Sequence, residues 1–145
     1  MKKIVIPNDI LLGEVSGMLA EGMEVIIMTK GYSMLPFIIG DRDSVKLRKS
    51  DSLRIGDIVL AEVAKGRYVL HRVFEIDGDR ITLMGDGNLY GTEQCLRSDI
   101  KGTVTDIITP SGRHKKVTDG KTWRRLRPFR RIILGIYRRL LKLCV

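Results

Sequence analysis

The hydrophobic positions of this chain change period twice. Between Asn8 and Gly22, the residues Ile10, Leu11, Val15, Met18 and Leu19 recur at helical spacing. Asn8 or Asp9 is placed to cap that helix, and Gly22 to stop it. From Met23 onward the pattern becomes that of strands, at about Met23–Thr29, Ser44–Leu47, Asp57–Val63, Arg67–Ile76, Arg80–Met84 and Ile100–Thr109. Turn signals separate them at Ala64-Lys65-Gly66, Asp77-Gly78-Asp79 and Gly85-Asp86-Gly87-Asn88, and Ser50–Gly56 reads as a polar loop. Past Pro110 the period is helical again. Leu126, Phe129, Ile133, Ile136, Tyr137, Leu140 and Cys144 fall on one face, opposite Arg124, Arg127, Arg131, Arg138, Arg139 and Lys142, with Pro128 suited to the first turn. The expected architecture is a mainly β domain over residues 1–110 with a short N-terminal helix, followed by a basic linker and amphipathic helix over residues 111–145.

Charge sharpens this division. Residues 1–110 sum to −2, whereas residues 111–145 hold twelve Lys/Arg against Asp119 alone and sum to +11. Any argument for an anionic partner therefore belongs to the tail. The chain has 145 residues, enough for one domain with a substantial core. Cys95 and Cys144 are its only cysteines, which excludes a disulfide framework and any paired-cysteine zinc spacing, and fits a reducing compartment. The apolar run Ile4-Val5-Ile6 after Lys2-Lys3 ends at Pro7, far short of a secretory leader. No stretch approaches the roughly 18 apolar residues of a membrane span. A cytoplasmic location is the expectation.

Three stretches hold candidate chemistry. Thr29–Asp41, TKGYSMLPFIIGD, places Ser33 directly after an apolar strand, between the permissive Gly31 and the rigid Pro36. A serine on such a turn is where a nucleophile is held open to substrate; the plainer reading is a connection between strands. His71, in YVLHRVFEIDGD, shares a strand face with Val69 and Val73, opposite Leu70 and Arg72. It is a candidate general base, although a lone strand histidine is more often structural. Asp86, in the turn GDGN, could orient an imidazole or simply bond its own turn. His114 lies in the polar stretch SGRHKK and reads as solvated.

Gly31-Tyr32-Ser33-Met34-Leu35-Pro36, Gly40-Asp41, Gly56-Asp57-Ile58-Val59, Leu70-His71-Arg72-Val73 and Gly85-Asp86-Gly87-Asn88 occur in that order. As an ordered set they resemble the signal peptidase and LexA-type peptidase superfamily over roughly Met23–Thr109. The resemblance implies that superfamily's β fold, Ser33 as nucleophile and His71 as base, as in the endoplasmic-reticulum and archaeal signal peptidases, where bacterial enzymes place a lysine. It also implies an oxyanion site at the Gly31–Ser33 turn using the Ser33 N–H; the serine hydroxyl that many bacterial relatives carry at this point is replaced by Gly31. The histidine-type enzymes carry a further aspartate after their Gly-Asp turn. Here the stretch is LYGTEQC, so the third member is Asp86, Glu93 or absent, with Asp86 taken as first choice. No metal or cofactor is implied.

The resulting expectation is a serine endopeptidase that cleaves a peptide or leader segment. The basic amphipathic tail would hold it peripherally at the inner face of the membrane through Arg124, Arg127, Arg131, Arg138, Arg139 and Lys142, each worth about 1 kcal/mol beside an anionic leaflet. The same tail could instead pack on the domain; nucleic acid is the least favoured partner, because phosphate binding gives an apolar face nothing to do. The rival function is a catalytically silent membrane- or protein-docking module on the same scaffold. A self-cleaving regulator ranks below both, since Ser16-Gly17 and Leu19-Ala20 are its only candidate sites and both lie in the predicted helix.

Overall fold

The computed structural model describes residues 2–4, 9–50, 52–88 and 91–143. Asn8 and Cys144, together with the side chains of Ile10, Leu11 and Arg127, lie outside the described set. The first helix, α1 (Asp9–Ala20), ends as its sequence foretells. Gly22 has φ +87°, its N–H donates to Leu19 O at 3.0 Å, and Met23 N–H donates to Met18 O at 3.1 Å. This pair of bonds satisfies carbonyls that a helix end otherwise leaves unpaired, and the left-handed residue it needs is cheapest as glycine.

The strands form one sheet, nine-stranded among the described residues. They are β1 (Lys2–Ile4), β2 (Val25–Met28), β3 (Ser44–Arg48), β4 (Ile58–Ala64), β5 (Arg67–Asp77), β6 (Arg80–Met84), β7 (Glu93–Leu96), β8 (Ile100–Ile108) and β9 (His114–Lys116). The order is β1-β2-β3-β8-β4-β5-β6-β7, with β9 also on β8, and only β1–β2 is parallel. Six strands fall where the hydrophobic pattern puts them. The pattern misses β1, β7 and β9, which are three or four residues long. In β7 Cys95 is the one fully inward residue, and in β9 all three residues are exposed, so neither leaves an alternation to read.

Strand β4 sits between two cores. Ile58 and Leu60 pack with Val15 and Leu19 of α1 and with Val25, Ile27, Val45, Leu47, Val104 and Ile107. Val59 and Ala61 face the other way, onto Val73, Ile81, Leu83 and Cys95. Burial on both faces explains why Ile58–Ala61 reads as a continuous apolar run rather than an alternating one. Register shifts at Lys46/Leu47, Leu60/Ala61, Glu62/Ala64 and Val73/Glu75 mark bulges, which bend and twist the sheet.

Residues after Pro110 pack on this body. Strand β9 extends the sheet, and α2 (Lys121–Arg125) leads through a 3-10 turn (Arg127–Phe129) into α3 (Arg130–Leu143). Trp123 and Leu134 are buried with Leu35, and Phe37, Ile39, Ile133, Tyr137 and Leu141 pack against this cluster. His114, expected to be only solvated, donates from Nδ1–H to Asp106 Oδ2 at 2.9 Å, and this bond is the main cause of the Asp106 carboxyl lying below its ordinary range.

Leu19 is fully buried, and a Cβ at Gly102 of β8 would come within 2.9 Å of its Cδ1. Leu19→Ala should therefore lower stability by about 2–5 kcal/mol. The measurement is urea unfolding, with a lower midpoint and an unchanged slope as the expected outcome.

Candidate active site

Ser33 lies in a loop whose neck is closed by hydrogen bonds. Thr29 N–H and Thr29 Oγ1–H donate to Asp43 O at 3.1 and 2.8 Å, and Asp41 N–H donates to Thr29 O at 2.8 Å. The Asp43 carboxylate accepts from Ile39 N–H at 2.9 Å. Gly31 has φ +74°, and a Cβ on Gly40 would collide with the Gly31 backbone, so Gly31 and Gly40 are the two points where only glycine allows the neck to close. Within the loop, Leu35 N–H donates to Tyr32 O, and Phe37 and Ile38 N–H donate to Met34 O, making a short helical turn that buries Met34, Leu35 and Ile38. Ser33 stays half-exposed at its start.

The turn Gly85–Asn88 crosses directly over Ser33. Gly87 N–H donates to Ser33 O at 2.7 Å, and Asp86 N–H points at Met34 Sδ at 3.4 Å. A Cβ on Gly85 would overlap Ser33 O and one on Gly87 would overlap Tyr32 O. The two glycines of GDGN thus exist for close backbone approach. That same hypothetical Gly85 carbon would lie 3.1 Å from His71 Nε2, so the imidazole edge faces the Ser33 turn.

His71 is 7% exposed and occupies β5 opposite Val59 of β4. Its Nδ1 contacts Glu93 Oε1, in a closely approached pair with both side chains largely buried. The sheet register explains the partner. Val73 pairs with Leu83, and Leu83 pairs with Glu93, so these three stand in a row across β5, β6 and β7 on one face. His71, two residues before Val73, shares that face. The carboxylate holds Nδ1 and leaves Nε2 beside Gly85, on the side where the Ser33 backbone approaches that turn; an imidazole so held can accept a hydroxyl proton brought to Nε2 and is stabilised once charged.

Asp86 stands elsewhere. The structure corrects its expected position beside His71: both carboxylate oxygens accept from Arg72, Nε–H at 2.9 and 3.1 Å and Nη2–H at 2.8 Å. Arg72 is on the opposite face of β5 from His71 and pairs with Met84, two residues before Asp86, so the Gly-Asp turn delivers Asp86 to the arginine. Arg72 Nη1–H also donates to Gly56 O at 2.8 Å and to Thr118 O, and its guanidinium lies 5.1 Å from the Phe37 ring centroid. Asp86 O accepts from Trp123 Nε1–H at 2.8 Å. Glu93 was one of three alternatives on sequence; its strand is too short and too exposed for periodicity to show which way the side chain points.

Ser33 and His71 line one groove of about 310 Å³, whose other walls include Leu12 of α1, Ile27, Met34, Ile38, Leu60 and Leu70. Gly31 is also on its rim. Among the described residues β1 pairs with β2 through Val25–Ile27, and the chain that follows, Met28 to Gly31, borders the groove. Of the tail cations, Arg124 donates to Phe74 O at 2.7 Å and stacks on the Phe74 ring, and Arg138 donates to Gly87 O at 3.3 Å. Arg131, Arg139 and Lys142 are exposed.

The two acids should separate cleanly by stability. Asp86→Ala leaves a buried guanidinium without its counter-charge and is expected to cost about 3–5 kcal/mol, whereas Glu93→Gln keeps shape and should cost about 1 kcal/mol or less. Parallel thermal and urea melts of the two variants check this. Burial, with added repulsion from Asp99 and Glu93, raises the Cys95 thiol to about 11. In a Cys144→Ser background the native protein should react only slowly with a disulfide reagent at pH 8, and at the ordinary thiol rate once denatured.

No curated protein sequence matches the chain. The family model described as Peptidase S24-like matches residues 6–105, which include Ser33, His71, the GDGN turn and Glu93. The fold, a mainly β sheet with a helix before it, is consistent with that family's LexA and signal-peptidase type of domain. This chain belongs to the Peptidase S24-like family.

Proposed function

We propose that the protein is a serine endopeptidase in which Ser33, His71 and Glu93 act in sequence on a peptide lying along the groove. The observation that carries the reading is the placement of His71 with Nδ1 against the Glu93 carboxylate and Nε2 toward the Ser33 turn, in a groove that Ser33 also lines. Family membership supports a peptidase-type hydrolase independently of this geometry.

In this reading Ser33 Oγ attacks the scissile carbonyl carbon while His71 Nε2 takes its proton. The Ser33 N–H, on the rim with Gly31, steadies the negative charge that develops on the carbonyl oxygen. Collapse of the tetrahedral species breaks the C–N bond, and the leaving amine takes the proton back from His71. Water, deprotonated by the same imidazole, then hydrolyses the acyl-enzyme. Glu93 keeps the ring in the tautomer this requires and stabilises the imidazolium. The serine, the histidine and the HRV context align the site with the histidine-type signal peptidases, and removal of a leader from a small peptide is the task we assign to it. An extended substrate fits best, with its backbone along Met28–Gly31 and apolar side chains toward Leu12, Ile27 and Leu70. We place this activity at a membrane surface, reached through the C-terminal helix.

The test is cleavage of a peptide library by purified protein, beside acylation by a serine-directed probe. Ser33→Ala and His71→Ala should abolish both. Glu93→Gln should lower kcat by about 10³ to 10⁴ with KM little changed, because it removes tautomer control and leaves the groove intact. Asp86→Asn should show lowered stability as its main defect, without that selective loss of kcat. Folded wild-type protein that neither cleaves nor labels in the presence of lipid would overturn the catalytic reading.

A further inference from the structure

Helix α3 has more apolar surface than the domain covers. Its inner line, Leu134 with Ile133, Tyr137 and Leu141, packs on Leu35, Trp123, Phe37 and Ile39. A second line remains outside. Phe129, Ile132, Ile136 and Leu140 are 57, 64, 55 and 55% exposed. Their spacing of three, four and four residues places them on one continuous stripe along the helix. Single exposed apolar residues are ordinary, whereas three in a line on an already packed helix, continued by Phe129 of the 3-10 turn that leads into it, make a contiguous patch.

Charge identifies what covers it. Arg139 lies three residues beyond Ile136, on the border of the stripe, and Lys142 follows one turn on; both are exposed. They belong to a tail of net charge +11, within which Arg124 and Arg138 are turned back to Phe74 O and Gly87 O. A second copy of the chain laid on the stripe would bring two such tails together, and like charges oppose that. Nucleic acid would engage the cations and leave the apolar stripe in water. An anionic bilayer satisfies both, with the stripe among the acyl chains and the long basic side chains reaching the headgroups.

We infer that α3 docks the protein on anionic membrane through Phe129, Ile132, Ile136 and Leu140, with Arg139 and Lys142 at the headgroup level. This face keeps Phe129, Ile136 and Leu140 of the one expected from spacing, adds Ile132, and loses Ile133 and Tyr137 to packing on the domain. It also places the serine. Leu35 packs on α3, and the turn whose Gly87 N–H holds Ser33 O receives Arg138, so α3 lies between the Ser33 loop and the bilayer. One helix diameter, about 10 Å, then separates the loop from the surface. Given the peptidase reading above, on which this last step rests, the substrate is a peptide segment held at the membrane surface rather than one free in solution.

The experiment is flotation of the full chain with phosphatidylcholine vesicles, with and without about one quarter phosphatidylglycerol, at low and high salt. Binding to the anionic vesicles that salt weakens is the expected result. Ile132→Glu/Ile136→Glu should reduce it by about tenfold or more, as should Arg139→Glu/Lys142→Glu, with circular dichroism and urea midpoint unchanged. Ser33→Ala should bind like wild type, so loss of the docking proposal and loss of the catalytic one are separately readable. Equal binding by the Ile132/Ile136 variant, equal binding to neutral vesicles, or no binding would overturn the proposal. So would a concentration-dependent dimer, or retention of duplex DNA, that the same substitutions abolish in the absence of lipid uptake.

Discussion

The buried pair between Arg72 and Asp86 is the contact on which the site depends. Both side chains are under 10% exposed, so each charge gives up most of its hydration and is stabilised chiefly by what the protein supplies. Arg72 meets this with its bonds to both Asp86 oxygens, Gly56 O and Thr118 O, and with the Phe37 ring beneath it. These partners come from the turn after β6, the loop before β4, the segment before α2 and the serine loop. One guanidinium therefore ties four separate parts of the chain to β5. A lysine here would keep the charge and lose the planar fork that reaches several acceptors at once.

The same strand then separates structure from chemistry by its pleat. Arg72 faces the serine loop's apolar underside, and His71, one residue earlier, faces the other core. Two acids are thereby sorted. Asp86 compensates a buried cation and, through its backbone, receives Trp123 and approaches Met34. Glu93 reaches the imidazole from β7. The geometry needed at Ser33 is held by backbone as much as by side chains, since Gly85 and Gly87 let the two turns touch and Gly87 N–H grips Ser33 O. Such preorganisation by main chain costs no side-chain entropy when substrate arrives.

The C-terminal segment is part of this assembly. Trp123 closes the space between Asp86 O and Phe37, its ring edge-on to Phe37 at 6.2 Å, and Leu134 completes the cluster around Leu35. A helix that supports the floor of the serine loop and shows a second apolar line outward couples the site's position to whatever surface that line meets.

Local pattern alone determined much of this protein. The apolar runs and alternations that mark β2 to β6 and β8, the glycine stop of α1 and the turn chemistry at Asp77-Gly78 and Gly85–Asn88 each depend on neighbours a few residues apart, and each was legible. So was the face of β5 that carries His71, because strand pleat has a period of two. The ordered motifs pointed to the family through Ser33, His71 and GDGN. Tertiary structure decided what depends on register between distant segments. Which acid meets His71 was set by the β5–β6–β7 pairing, and Glu93 sits in a strand with no pattern of its own. The fate of Asp86 was set by Arg72 lying opposite Met84. The apolar face of α3 is a single broad arc in sequence, and only packing against Leu35 and Trp123 divides it into a buried line and an exposed one. Periodicity reports that a surface is apolar; it holds no record of which neighbour arrives to cover it.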